Sequence, residues 1–179
     1  MAAKRFFQHA GPAFALAALI GVAGCVPAGH VAPPAASAMP VFDPVRFFAG
    51  STHGTGTLHI LFSKPRRTDV RGRGVVSPAG EITLDQDVVQ GDGAAKHRTW
   101  RLRPAGPGRY TGTLTDAVGP VFADTHGNAL HIAFAMKAGL KVEQRLYLQP
   151  GGQVALNRMT VRKAGIVVAR LDERIERRE

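Results

Sequence analysis

Between Leu130 and Lys137 the chain alternates strictly, with Leu130, Ile132, Phe134 and Met136 on one side and His131, Ala133, Ala135 and Lys137 on the other. A period of two is the mark of a strand with one buried face. The next run repeats it: Leu140, Val142, Leu146 and Leu148 oppose Lys141, Glu143, Arg145 and Tyr147, with Gln144 interrupting the apolar side. Similar runs at Thr57–Ser63, Asp69–Ser77, Glu81–Gln90, Lys96–Arg103, Arg109–Thr115, Val154–Arg162 and Ile166–Leu171 bring the predicted strands to about nine. Turn-forming clusters separate them, among them Pro78-Ala79-Gly80, Gly91-Asp92-Gly93, His126-Gly127-Asn128 and Pro150-Gly151-Gly152,. Short connections pair each strand with its predecessor. An antiparallel meander this long has two unpaired edges unless it curls shut, so the pattern predicts an all-β up-and-down barrel or a strongly bent sheet. At the C-terminus, Glu173 and Arg177 stand at i, i+4, and Arg170–Glu179 is expected to finish as a short charged helix,.

The N-terminus departs from this pattern. Lys4 and Arg5 precede an apolar or small-residue stretch from Ala10 to Gly24 that ends in Val22-Ala23-Gly24-Cys25, the layout of a signal peptide. A run of about 15 residues falls short of the roughly 18 to 20 that a spanning helix needs. Val22–Cys25 resembles the lipobox of bacterial lipoproteins, which implies cleavage before Cys25 and lipid on that cysteine. Val26 follows where enteric-type sorting uses Asp for inner-membrane retention, so the resemblance points to the outer membrane over the inner, with the domain in the periplasm. The Ala/Pro-rich segment after the cysteine carries Pro27, Pro33, Pro34 and Pro40 and is a semi-extended spacer,. The expected organisation is a signal peptide at 1–24, a lipidated tether at 25–40 and a β-barrel domain at 41–179. With its single cysteine lipidated, the mature chain has neither a free thiol nor a disulfide and depends on its core,.

The formal net charge is +10, and loss of Lys4 and Arg5 with the signal peptide takes it to +8. Such a balance suits nucleic acid, anionic head groups or an acidic ligand. Export disfavours nucleic acid. So does the scattering of Trp100, Tyr110 and Tyr147, the only Trp and Tyr residues, over separate segments that offer no stacking platform,. Catalytic signatures are missing: His-Glu-x-x-His, Gly-x-Ser-x-Gly and the phosphate loop do not occur,. His53-Gly54-Thr55-Gly56 and Gly72-Arg73-Gly74 lack the third glycine of a dinucleotide fingerprint,. The histidines show no metal-ligand spacing, and no metal, cofactor or enzymatic activity is expected.

One arginine stands apart. By period two Arg98 shares a face with Trp100 and Leu102, and a guanidinium on an inner face needs a partner,. That partner is either an internal acid such as Asp116 or the head group of an anionic ligand. Asp116 itself, just before Gly119-Pro120, suits an Asx turn or a barrel mouth.

Several motifs carry a family resemblance: Phe47-Phe48-x-Gly50, Gly54-x-Gly56, Asp92-Gly93, Arg98-Thr99-Trp100, Tyr110-x-Gly112, Asp116-x-x-Gly119, Gly127-Asn128-Ala129-Leu130 and Leu156-Asn157-Arg158-Met159. From about Val41 to Leu171 the chain resembles domain-of-unknown-function family 3833, Gram-negative lipoproteins that also begin with a lipobox. The family tends to an acid where this chain has Gln86, and to an Asp-Asp-Trp-x-Tyr run where this chain reads Glu143-Gln144-Arg145-Leu146-Tyr147. The resemblance implies a lipoprotein with a lipocalin-like barrel and names no ligand. Two functions follow. Either the barrel is a membrane-anchored module binding an acyl chain, fatty acid or other anionic amphiphile, with Arg98, Trp100, Tyr110 and Asp116 as candidate ligand-binding residues, or it is an envelope assembly factor whose interior is filled by its own side chains.

Cys25→Ser should leave a precursor that is unprocessed or differently processed and takes up no labelled fatty acid. Normal labelling of that variant would remove the lipoprotein assignment.

Overall fold

The structure, a computed structural model, describes residues 36–178. The expected signal peptide at 1–24, the expected lipidation site Cys25 and most of the expected tether at 25–40 lie outside the described residues. A five-residue helix, α1 (Pro44–Phe48), precedes ten strands. These are β1 (Gly50–Ile60), β2 (Arg66–Val76), β3 (Ile82–Gln90), β4 (Lys96–Pro104), β5 (Arg109–Leu114), β6 (Val121–His126), β7 (Ala129–Met136), β8 (Leu140–Leu148), β9 (Val154–Lys163) and β10 (Ile166–Arg178). All neighbours are antiparallel and sequential, and β1 pairs with β10 to close the barrel. This is the up-and-down barrel that the alternating pattern predicts and the lipocalin-like barrel that the family resemblance implies,.

Three stretches of the sheet differ from expectation. The C-terminal segment is a strand rather than a helix, because the free edge of β1 recruits it: Ser51–Ile60 pair residue by residue with Ala169–Arg178. Leu171, Glu173 and Ile175 thereby turn inward. The strand missing from the predicted set is β6, only six residues long, in which small Ala123 faces the core while Phe122 faces out and stays exposed. The start of β1, Gly50–Gly56, also escapes the periodicity because its inner positions are Thr52, Gly54 and Gly56 rather than large apolar residues.

One end of the barrel is stoppered. Asp43 caps α1, its Oδ1 accepting from the backbone N–H of Val45 at 2.9 Å and of Arg46 at 3.1 Å, and Pro44 occupies the first turn,. The helix turns Phe47 and Phe48 inward, where Phe47 packs between Phe48 and Phe42 at centroid distances of 5.0 and 5.3 Å. Ser37 and Asn128 exchange bonds, Asn128 Oδ1 accepting from Ser37 N at 2.6 Å and Asn128 N donating to Ser37 O at 2.8 Å. Segment 37–40, assigned to the tether by composition, is thus held against the β6–β7 turn. The core runs from Phe42 to Ile175. With no strand edge left open among the described residues, segment 36–178 is a complete folding unit.

A glycine on β2 makes room for the stopper. A Cβ on Gly74 would collide with the carbonyl oxygen of Phe48 at the end of α1. Gly74→Ala should therefore lower stability by about 1–3 kcal/mol, the usual cost of overpacking. Exposed Val75→Ala on the same strand should change it by no more than about 0.5 kcal/mol. Thermal unfolding followed by circular dichroism measures both.

Candidate ligand-binding site

The other end is open. The inner faces of β1, β3–β5 and β7–β10 surround a cup of about 390 Å³ walled by Leu58, Val88, Leu114, Phe134, Val142, Met159, Val161 and other apolar residues. Polar groups enter it at few points: Gln90, Lys96 and Asp116 near the rim, and Arg98 deeper on β4. A barrel of about eight strands is just filled by its own side chains, and diameter grows with strand number. Ten strands leave this space, and its volume falls at the lower end of the roughly 300–1,000 Å³ of small-molecule sites.

Beneath the cup lies a smaller chamber of about 40 Å³, bounded by Phe48, Ile82, Leu84, Trp100, Leu146 and Ile175 on the stoppered side. Arg98 lines both spaces and forms part of the floor between them. Gln86, Gln144, Asn157 and Glu173 complete a polar belt there. Gln86 Oε1 accepts from Arg98 Nε and from Trp100 Nε1, each at 2.9 Å. The guanidinium carbon sits 5.7 Å from the Trp100 ring centroid, and that ring is fixed edge-on against Phe134 at 5.5 Å,. Asn157 Nδ2 donates to Glu173 Oε2 at 2.9 Å and to Gln144 Oε1 at 3.3 Å, while its Oδ1 is buried without a protein partner among the described residues.

No ion pair is formed by Arg98 among the described residues. Burial pulls its pKa down, and the fields of Glu173 and Asp116 push it back up; as an arginine it stays charged. Glu173 has the complementary problem. Burial raises its pKa, against the Asn157 bond and the field of Arg98. A fixed cation therefore shares the interior with a carboxyl that resists ionising. Gly54 makes this possible, because a Cβ there would overlap Glu173 Oε1.

Arg98, Trp100 and Asp116 come together around the floor and cup. Arg98 faces inward as the two-residue period predicts, but its direct partner is Gln86 rather than Asp116. Tyr110 does not join them: on β5 it pairs with Pro104 and Ala123 towards the stoppered end, and burial followed by the Asp43 carboxylate raises its pKa. Glu173 and Asn157 were not among the expected site residues. The signal for Glu173 was the alternation Leu171-Glu173-Ile175, masked by the competing i, i+4 helix pattern. Gln144 is the interruption in β8, and it is an inward-facing member of the belt. His97 and His131 lie on outer faces beside Asp87 and Asp124, at 3.0 and 3.2 Å. No cluster of metal-ligating residues occurs among the described residues.

The profile of a family described as protein of unknown function (DUF3833) matches residues 19–177. No curated protein matches the sequence. Among solved structures, an S-type phycobiliprotein lyase, CPES, from Guillardia theta superposes with a TM-score of 0.61 at 6% identity, covering 75% of this chain and 90% of that one. A protein of unknown function from the DUF3598 family of Nostoc punctiforme gives 0.58 at 14% identity, over 78% of this chain and 50% of that one. At such identities the likeness is one of fold.

Raising the folded pKa of Glu173 makes its contribution to stability greatest below its unfolded value and progressively lost as pH rises through the folded one,. Glu173→Gln keeps an acceptor for Asn157 and removes that loss. The melting temperature of the variant should match or trail the parent in acid and gain on it as pH rises; a difference independent of pH would contradict the buried, proton-binding carboxyl.

Proposed function

This chain belongs to the DUF3833 family, and we propose that it is a membrane-anchored envelope lipoprotein whose barrel binds a single-chain anionic amphiphile. The observation that carries this is Arg98: a permanent cation, in contact with no carboxylate among the described residues, on the floor of a mainly apolar cup open to solvent. The guanidinium is half-buried and has no ion pair among the described residues, so an incoming anion supplies the charge partner that the wall does not. Gln86 and the Trp100 ring orient the guanidinium without neutralising it.

The ligand enters head first. Its anion meets Arg98, and its tail lies against Phe134, Val142, Met159 and Val161 towards the mouth. The volume suits one acyl chain rather than two. Glu173 tunes the site, since a neutral carboxyl leaves the field of Arg98 to the ligand whereas an ionised one opposes an anion. The open cup favours binding over the alternative of an assembly factor with a barrel filled by its own side chains. Anchoring rests on the basic, apolar and lipobox pattern ending at Cys25, with Val26 favouring the outer membrane and the domain in the periplasm.

Decyl sulfate, whose charge does not vary with pH, and uncharged decanol are suitable probes for segment 36–179. Arg98→Met should weaken decyl sulfate about tenfold or more, as expected for losing a hydrogen bond to a charged group, and leave decanol affinity and melting temperature nearly unchanged. Glu173→Gln should tighten decyl sulfate in alkaline buffer. Equal affinity of parent and Arg98→Met for decyl sulfate, or no binding by the parent, would overturn the assignment.

A further inference from the structure

The loops around the open mouth expose side chains that the barrel does not use. Phe62, on the β1–β2 connection, is 93% exposed and holds a backbone φ of 61°, a region that bulky residues rarely occupy. The backbone N–H of Leu61 donates to Val168 O at 2.9 Å, which sets Phe62 beside the tip of β10, where Ile166 is 61% exposed. Val118, on the β5–β6 connection, is 54% exposed and is fixed at that end by its bond to Ala135 O. Lysines accompany these tips. Lys64 follows Phe62, Lys137 begins the β7–β8 turn and Lys163 ends β9; all are exposed, and none forms an ion pair among the described residues. Acids at this end are fewer, Asp92 and Asp116.

We propose that this rim docks on an anionic phospholipid surface, with Phe62 and Ile166 entering the head-group boundary and Lys64, Lys137 and Lys163 meeting the phosphates. Apolar tips ringed by cations are the surface chemistry of an interfacial membrane contact. Charge complementarity selects an anionic bilayer over a neutral one. Of the other exposed apolar residues, Met39, Val41, Val75 and Val76 sit at the stoppered end, and Phe122 stands alone on the outer wall of β6. Docking by the rim sets the cup against the bilayer, so that an amphiphile passes between membrane and barrel without crossing water. This transfer role rests on the binding function proposed above; the docking itself does not.

The test is sedimentation of segment 36–179 with vesicles of phosphatidylcholine alone and of phosphatidylcholine with phosphatidylglycerol. Binding should favour the anionic vesicles and fall with added salt. Phe62→Ser should weaken it about tenfold, as expected from losing most of a buried phenylalanine, and Lys64→Glu with Lys163→Glu should abolish it. Both variants should keep the parent's affinity for decyl sulfate. Arg98→Met should sediment as the parent does even if it loses decyl sulfate, which separates failure of the cavity from failure of the rim. Equal sedimentation with both vesicle types, insensitivity to Phe62→Ser, or light scattering showing that Phe62 instead joins two copies of the chain would each overturn the proposal.

Discussion

The pairing of β1 with β10 is the contact on which the remaining features depend. Ten residues of each strand join the first and last segments of the fold, and they convert a long meander with two reactive edges into a closed wall. The same pairing turns Glu173 inward against the gap left by Gly54. Without it there is no enclosed interior and no reason for a carboxyl and a guanidinium to share one. Closure also carries an entropic cost, because the strands joined are separated by most of the domain.

Within the wall, the interior is organised by charge rather than by shape alone. The belt of Gln86, Arg98, Gln144, Asn157 and Glu173 crosses a barrel that is otherwise lined by aliphatic and aromatic side chains. A direct Arg98–Glu173 pair would neutralise both groups and leave an inert interior. Instead Gln86 engages Arg98, and Asn157 engages Glu173, so each group has a neutral hydrogen-bonding partner and the guanidinium and carboxyl act on each other only through space. Below the belt the aromatic stopper excludes solvent; above it the wall stays apolar and the space open. The asymmetry between the two ends follows from α1, whose phenylalanines fill one end only.

The period-two alternation, the turn clusters and the short connections determined an antiparallel up-and-down barrel from the sequence alone, and the placement of Arg98 with Trp100 and Leu102 on an inner face followed from the same count. These are local properties, written in neighbouring residues. Three features were decided only by tertiary structure. Segment 166–178 carries both a strand alternation and an i, i+4 charge pair, and the open edge of β1 chose the strand. β6 hides its role because its large residue, Phe122, faces outward while the smaller Val121 and Ala123 face inward, an assignment that depends on the space inside a curved wall. The sequence left the partner of Arg98 open between an internal acid such as Asp116 and a ligand head group; within the protein it is Gln86, because cross-strand register on β3 and β4 sets Gln86 opposite Arg98, whereas Asp116 lies beyond the end of β5. Strand periodicity says which way a side chain faces; what it meets there depends on the register and closure of strands far apart in the chain.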